Sequence, residues 1–365
     1  MLRTRLQPLH PVAWWCWAGA LAVAASRTTN PLLLGLVLAV VAWVVTTRRT
    51  NSPWGRSFGA LMHLGLVVVI IRVLVQVLFG DRVPGVTWFT LPSIPLPSWA
   101  AGVTIGGPVT AQAVIGALCE GLQIAVILAC FGAANSLASS FRLLRCVPAG
   151  LYEVAVAVSV AISFTPQVVL SIARVRDARR LRGRATSGLK GWRGLAVPVL
   201  DGALERSVAL AASMDARGFG RRSNSPKRRR VTAAATLAGL VGLSIGLFEL
   251  LDSGSGPGIG LAVILVGGAL VIGGLAAAPH GSRSCYRPDR WHIAEWLVIL
   301  AGLAALAGVV AAGTNDPNAL GQPLYPLALP AGPAIALAGI LVATLPSAIA
   351  PTPAPTRARH QEAVS

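Results

Sequence analysis

The sequence predicts an all-α, polytopic helical membrane protein with about eight transmembrane helices and further amphipathic helices on the cytoplasmic side. Three observations predict this fold class. Only 12% of the 365 residues are charged, the mean hydropathy is +0.68, and long apolar runs recur along the chain. A typical soluble domain carries about twice that charged fraction. The sparse charge therefore indicates that much of the chain lies in a bilayer.

Eight apolar runs are candidates to cross the membrane. They cover residues 12–25, 31–45, 58–79, 111–131, 231–251, 258–277, 293–312 and 327–350. The first two are short for a span of about 20 residues. No cleavable signal peptide is predicted, because the first run leads directly into the second.

The positive charge is concentrated in one block and sets the predicted orientation. The net charge is +18, and most of the basic residues lie between residues 142 and 230. Such a charge is also found in nucleic-acid-binding proteins, but in a membrane protein excess Arg and Lys mark cytoplasmic loops. We therefore expect a plasma-membrane protein that contacts lipid and not nucleic acid, with both termini cytoplasmic.

These patterns divide the chain into four predicted regions. Residues 1–132 form a four-helix membrane region, and residues 133–230 form a basic cytoplasmic region. Residues 231–350 form the C-terminal membrane helices, and residues 351–365 form a cytoplasmic tail.

The apolar run 151–165 is ambiguous. It contains Glu153, ends at Pro166, and has arginine clusters on both sides. If it crossed the bilayer, one cluster would lie outside, against the positive-inside rule. The sequence favours a helix on the membrane surface or packed under the bundle, and a crossing helix stays open as the alternative.

Amphipathic helices are predicted within the basic region. Apolar residues recur at helical spacing in two stretches, Leu137, Phe141 and Leu144, and then Val168, Ile172 and Val175. A glycine-rich break is predicted over 183–194, a third helix over 198–216, and a loop over 221–230. Helices of this type lie along a membrane surface or bind partner proteins.

Two of these helices end in a similar way. One ends in Leu181-Arg182-Gly183 and the next in Ala216-Arg217-Gly218, and both have a small or aliphatic residue, then Arg, then Gly. Gly is favoured just past a helix C-terminus, and Arg in the last turn complements the helix dipole, so ordinary caps are one interpretation. The alternative is that each Arg projects into a groove of a cytoplasmic partner.

Residues 9–220 resemble the transmembrane T component of energy-coupling factor (ECF) transporters, the EcfT/CbiQ-like family. The features that carry the resemblance are His10-Pro11, Asn30-Pro31, Ala134-Asn135, Arg142-Leu143-Leu144, Leu151-Tyr152-Glu153, Phe164-Thr165-Pro166-Gln167, Ala178-Arg179-Arg180-Leu181-Arg182-Gly183, and Glu205-Arg206-Ser207 leading into Met214-Asp215-Ala216-Arg217-Gly218.

The resemblance implies a subunit that couples ATP hydrolysis to uptake of a vitamin or a metal ion. Its partners would be two ABC ATPase subunits, which bind the two X-Arg-Gly motifs, and a substrate-binding membrane S component. Where the family usually has Ala, the first motif has Leu181, so Arg179 rivals Arg182 for its role. The chain also departs from the family in having four apolar segments after the second motif.

No catalytic or cofactor site is predicted. The sequence lacks a GxxxxGK[ST] phosphate loop, so it cannot hydrolyse ATP by that route. No triad or carboxylate pair stands out, and the five cysteines form no CxxC pair that would suggest zinc. We therefore expect a non-catalytic transporter subunit without cofactor or metal.

Two charged residues fall inside predicted spans. Arg72 and Glu120 lie at similar distances from the outer ends of the third and fourth runs. Because an unpaired charge at such depth is costly, we predict an ion pair that holds the two helices together. A role in substrate passage is the alternative. A self-contained secondary transporter or channel is the alternative function, but the two halves show none of the inverted symmetry typical of that class.

Overall fold

The computed structural model describes most of the chain, and the tail 351–365 lies outside the described residues. These residues are 9–48, 57–79, 84–92, 94–95, 104–183, 188–219, 226–251, 257–277, 291–324, 328 and 330–350. The chain divides into two compact units. The first unit comprises residues 1–143 and 289–365, and the second comprises residues 144–288.

The described residues are almost entirely helical, which confirms the predicted fold class. The helices are α1 (Pro11–Ser26), α2 (Pro31–Arg48), α3 (Ser57–Phe79), α4 (Ala111–Leu137), α5 (Ser140–Arg145), α6 (Tyr152–Leu181), α7 (Gly188–Ala216), α8 (Pro226–Leu251), α9 (Pro257–Ala276), α10 (Ile293–Asn315), α11 (Ala334–Val342) and α12 (Pro346–Ile349). Short 3₁₀ turns cover Ala149–Leu151 and Pro317–Leu320.

A small β-ribbon precedes α4 and was not predicted. Strand β1 (Thr87–Thr90) pairs antiparallel with β4 (Pro108–Thr110), and β2 (Ile94–Pro95) pairs antiparallel with β3 (Thr104–Ile105). It lies in the segment expected outside the cell.

Large apolar side chains build the core of the first unit. Helix α1 packs against α4 and α10, while α2 packs against α4 and α11. Trp17, Leu21, Leu33 and Val37 are fully buried in this core. The Trp17 indole N–H also donates a hydrogen bond to the Ala343 carbonyl, 3.2 Å away, so the C-terminal helices complete a core that begins near the N-terminus.

The second unit contains two long helices and a tight helical hairpin. Helices α8 and α9 approach each other through glycines. A Cβ added at Gly239 would lie 2.7 Å from the Gly267 carbonyl oxygen, and one added at Gly246 would lie 3.0 Å from the Gly260 carbonyl oxygen. Small residues of this kind allow close backbone contact between membrane helices.

The number of candidate spans is consistent with the prediction of about eight, but the set of helices differs. Within the described residues, seven helices are long and apolar enough to cross a membrane: α2, α3, α4, α6, α8, α9 and α10. Helix α1 has 16 residues, and the described residues of the predicted run 327–350 form the short helices α11 and α12. Each of these three helices is shorter than a span of about 20 residues. Helix α6 joins the set by length and composition, so its surface location stays a prediction.

Pro166 does not end a helix, and the predicted boundary there is wrong. The backbone continues as α6 from Tyr152 to Leu181 with Pro166 inside it. Proline removes one backbone hydrogen bond, but a helix of 30 residues keeps many others and membrane helices tolerate such a loss.

Three further boundaries in the basic region are corrected. Helix α4 ends at Leu137 and Ala138 is extended, so residues 137–144 do not form one helix. Helix α7 begins at Gly188 rather than near Pro198, which shortens the predicted glycine-rich break. Helix α8 begins at Pro226, so part of the predicted loop 221–230 is helical. A local glycine or proline signal is weak against the many backbone hydrogen bonds of a long helix.

Candidate functional site

Helix α6 ends at the first Arg-Gly motif. Arg182 is the cap residue, and its backbone N–H donates to the Arg179 carbonyl 3.2 Å away. Gly183 has a φ of 64°, and its N–H donates to the Arg180 carbonyl at 3.0 Å. Glycine adopts this left-handed conformation at little cost. The turn leaves Leu181 90% exposed, and the Arg182 side chain is exposed as well.

Helix α7 ends in the same way at the second motif. Gly218 has a φ of 76°, and its N–H donates to the Asp215 carbonyl at 2.8 Å. The Phe219 N–H reaches back to the Met214 carbonyl at 3.0 Å. These two bonds form a Schellman motif, in which the last carbonyls of a helix are satisfied by the chain that follows. Arg217 is the cap residue and is exposed.

The two motifs are therefore equivalent in position. In each, the first residue ends the helix, the arginine is the cap, and the glycine is left-handed. The cap geometry accounts for the glycines. It does not account for the arginines, because the backbone of Arg182, with φ of −91°, suits most residues. Neither Arg182 nor Arg217 forms an ion pair or a side-chain hydrogen bond with the described residues.

The motifs lie at opposite ends of an antiparallel helix pair. The ring of Tyr152, at the start of α6, is 6.2 Å from that of Phe219, just past the end of α7. At the other end, the Arg179 side chain lies against Gly194 in the first turns of α7. With a rise of 1.5 Å per residue, the stretch of α7 from Gly194 to its end spans roughly 35 Å. The two exposed arginines are therefore separated by about the length of α7.

Arg179 and Arg182 occupy different environments. A Cβ added at Gly194 would lie 1.9 Å from a guanidinium nitrogen of Arg179, so this side chain is packed against α7. It is only partly exposed, whereas Arg182 is exposed. The packing also explains why a glycine lies within α7, since any other residue at 194 would push the guanidinium away.

The structure brings Arg72 and Glu120 together. The Arg72 Nε donates to Glu120 Oε2 at 3.0 Å, and Arg72 Nη2 contacts the same oxygen. Arg72 Nη1 also lies 3.4 Å from the Gln76 Oε1. The side chains of Arg72 and Glu120 are 34% and 50% exposed, so the pair lies at the surface of the α3–α4 interface.

Asn30, a residue of the resemblance, and its neighbour Thr28 connect the N-terminal and C-terminal segments of the first unit. The buried Asn30 amide donates to the Ala319 and Ala331 carbonyls at 3.2 and 2.9 Å, and its Oδ1 accepts the Leu32 N–H at 3.0 Å. Thr28 Oγ1 donates to the Leu320 carbonyl at 2.7 Å. The Asn30-Pro31 pair was recognised in the sequence as part of the resemblance, but no local pattern predicted its partners about 300 residues away.

His10 forms a second connection, at the start of α1. Its ring stacks on that of Trp291 with centroids 4.6 Å apart, and its backbone N–H donates to Glu295 Oε1 at 3.3 Å. Glu295 is buried, and its Oε2 accepts the His292 backbone N–H at 2.9 Å. One carboxylate thus joins the starts of α1 and α10 on the same side of the first unit. Neither Glu295 nor Trp291 was singled out from the sequence.

No metal cluster is evident in the described part of the chain. No group of three or more His, Cys, Asp or Glu side chains there could hold a metal ion. Each exposed guanidinium of the two motifs offers several N–H donors and no acceptor, so it can bind an acceptor such as a carboxylate.

The sequence matches one family of known proteins. Residues 2–227 match the CbiQ family, whose description is cobalt transport protein. No curated protein matches the chain. The match covers more than half of the 365 residues and includes both X-Arg-Gly motifs. With its apolar helices, the chain is a multi-pass membrane protein and a transport component, and it belongs to the CbiQ cobalt transport protein family.

Proposed function

We propose that this chain is the transmembrane T component of an ECF-type ABC importer. It couples ATP hydrolysis by two partner ATPase subunits to a substrate-binding S component that takes up a vitamin or a metal ion. The chain itself is not catalytic. The observation that carries the proposal is the pair of exposed arginines, Arg182 and Arg217, held by the same cap geometry at opposite ends of α6 and α7.

The geometry suits a coupling element. Each cap fixes the backbone of one arginine, so its guanidinium starts from a defined point at a helix end. A planar guanidinium can bind a carboxylate through two hydrogen bonds when it enters a groove of a partner. Two such points about 35 Å apart fit two subunits better than one. A movement of either subunit would then be transmitted along α6 and α7.

Arg182, rather than Arg179, is proposed as the docking residue of the first motif. The Arg179 guanidinium packs on Gly194, so it supports the α6–α7 pair, and Arg182 is exposed. Leu181 and Ala216, with Gly183 and Gly218, complete the two motifs and set the helix ends.

The proposed orientation has both termini and the two motifs in the cytoplasm. The contacts of the first unit support alternating helix ends. His10 meets Glu295 at the proposed inner side, and Arg48 at the end of α2 binds the Ser347 carbonyl there. Asn30 meets Ala331 at the proposed outer side. Arginines at the inner side obey the positive-inside rule.

The test uses the full complex, isolated from native membranes through a tag on this chain. Arg182→Glu and Arg217→Glu each replace a hydrogen-bond donor by a carboxylate, which would be repelled by the acidic groove proposed on the ATPase. Truncating one partner of a buried charge pair costs about 2–5 kcal/mol. Each single change should remove about half of the copurified ATPase, and the double change nearly all of it, while membrane insertion is kept. ATPase content is measured by quantitative mass spectrometry.

Arg228→Glu is the matched control. Arg228 is an exposed arginine in the first turn of α8 and is assigned only to topology. If all three changes weaken the complex equally, general basicity drives docking and the proposal for the two motifs is wrong. If none does, the docking role of both arginines is wrong.

A further inference from the structure

We infer that the exposed side of the Arg72–Glu120 pair docks a transmembrane helix of the S component, which supplies a hydrogen-bond donor to Glu120. This inference rests on the proposed function, since it assumes that such a partner exists. The charged face is defined as Arg72, Gln76, Glu120 and Ile124.

Helix α3 lies at the edge of the first unit and packs mainly on α4. The contact is close because glycines face it. A Cβ at Gly65 would lie 3.1 Å from Ala125, and one at Gly121 would lie 3.0 Å from the Val69 Cα. The rest of α3 exposes large apolar side chains such as Ile71 and Leu74. An ordinary lipid-facing helix has such a surface, but it does not carry an exposed ion pair.

The pair satisfies only one oxygen of the carboxylate. Nε and Nη2 of Arg72 both reach Glu120 Oε2, and Oε1 accepts no hydrogen bond from the described residues. Half of the Glu120 side chain is exposed. Arg72 is seven residues from the end of α3 at Phe79, which corresponds to roughly 10 Å of depth. Hydrocarbon chains at this depth offer no donor to the free oxygen.

A protein helix is the occupant that fits this face. The surroundings of Glu120 are apolar, with Leu118 and Ile124 exposed on α4. A helix with a Ser, Thr, Asn or Gln among apolar residues would match both the apolar surface and the free oxygen. A lipid headgroup would have to descend about 10 Å into the bilayer to do the same.

The decisive variant exchanges the two charges, Arg72→Glu together with Glu120→Arg. The exchange keeps an ion pair between α3 and α4. It places a guanidinium, which cannot accept a hydrogen bond, at the position of the Glu120 carboxylate to which the partner would donate. The tagged complex is isolated from native membranes, and the ATPases and the copurified membrane partner are quantified separately. Thermal stability of the chain is measured in the same detergent.

We expect the exchanged chain to be as stable as the wild type and to keep its ATPases, while the amount of membrane partner falls about tenfold, as for the loss of a strong interhelical hydrogen bond. If the exchanged chain keeps the membrane partner at the wild-type level, the pair only holds α3 to α4 and the inference is wrong. If the wild-type chain brings down neither ATPase nor membrane partner, the proposed function fails and this inference fails with it.

A second variant tests the same face without touching the pair. Ile124→Trp adds bulk one helical turn from Glu120, on an exposed position. It should lower the membrane partner and leave stability unchanged. Leu300→Trp is its control, because Leu300 is exposed on α10, away from α3 and α4 in the chain. Equal loss in both variants overturns the inference. A photo-crosslink from position 124 into residues 144–288 of the same chain overturns it as well, because those residues would then cover the face.

Discussion

The two units of this chain are packed by different means. In the first unit, tryptophan, leucine and valine side chains interlock, and Trp17 and Leu33 are wholly buried. Among the described residues of the second unit, the buried hydrophobic side chains are those of Ala155 and Val199. The closest contacts there join the backbones of α8 and α9 at glycines. The first unit therefore has a core of interlocking large side chains, and the second has close backbone contacts with few buried apolar side chains. Both units also expose apolar helix faces, such as Leu74 on α3 and Leu265 on α9.

The largest effect should come from the core of the first unit. Trp17→Ala removes a side chain with no exposed surface and leaves the Ala343 carbonyl without its donor. A loss of about 3–5 kcal/mol is expected from such a cavity. Trp192→Ala in α7 is the matched change in the second unit, where the side chain is 73% exposed, and it should cost less than about 0.5 kcal/mol. Denaturant titration in detergent measures the unfolding free energy of both variants. Similar losses would contradict the comparison.

The contact of Asn30 with the C-terminal segment should be sensitive to the exchange of its amide for a carboxylate. Asn30→Asp keeps the oxygen that accepts the Leu32 N–H but turns the amide donor toward the Ala319 and Ala331 carbonyls into a second oxygen. Buried acceptors facing each other should cost about 3 kcal/mol. Asn30→Ala should be milder, because it removes the donor without adding a charge. The measurement is the same unfolding titration, and Asp milder than Ala would exclude the proposed hydrogen bonds.

The glycine contacts of the second unit offer a sharper contrast between neighbours. A Cβ at Gly267 would lie 2.8 Å from the Leu243 N, whereas a Cβ at Gly268 would meet nothing within 4 Å. Gly267→Ala should destabilise by about 1–3 kcal/mol through overpacking. Gly268→Ala should be neutral or stabilising by up to about 1 kcal/mol, because alanine favours a helix. Thermal unfolding of the two variants decides the point, and equal effects would argue against close α8–α9 packing.

The smallest effect is expected at the helix caps. Gly183→Ala places a side chain on a backbone with φ of 64° in open space, so strain alone should cost about 1 kcal/mol. Gly183→Asn should cost less, since asparagine tolerates this conformation. Because the cap orients Arg182, the alanine variant should also lower ATPase recovery slightly. If the alanine and asparagine variants lower ATPase recovery equally, the loss of docking does not come from backbone strain at residue 183.

Long apolar runs with little charge predicted most of this fold. The run 58–79 became α3 from Ser57 to Phe79, and 111–131 began at the same residue as α4, because a membrane span needs little beyond length and low charge. The boundaries predicted from Pro166 and from the glycines near residue 188 are wrong, because the continuous backbone hydrogen bonding of a long helix outweighs such local signals. The cap role of the two glycines followed from residue type. The environment of Arg179 depended on Gly194, and the partners of Asn30 and His10 on residues that local patterns do not connect.

The contacts between the two ends of the chain also have a consequence for synthesis. Asn30 and Ala331 are 301 residues apart. At about 5–20 residues per second, a ribosome needs roughly 15–60 s to supply the second partner after the first. During that time α1 and α2 are in the membrane without α10 and α11, and Thr28 and Asn30 lack the carbonyls of Leu320, Ala319 and Ala331 to which they donate in the folded unit. The first unit therefore closes last, after the whole second unit has been made, and a nascent chain stalled before residue 291 would leave Trp17 and Asn30 without the C-terminal residues that later cover them.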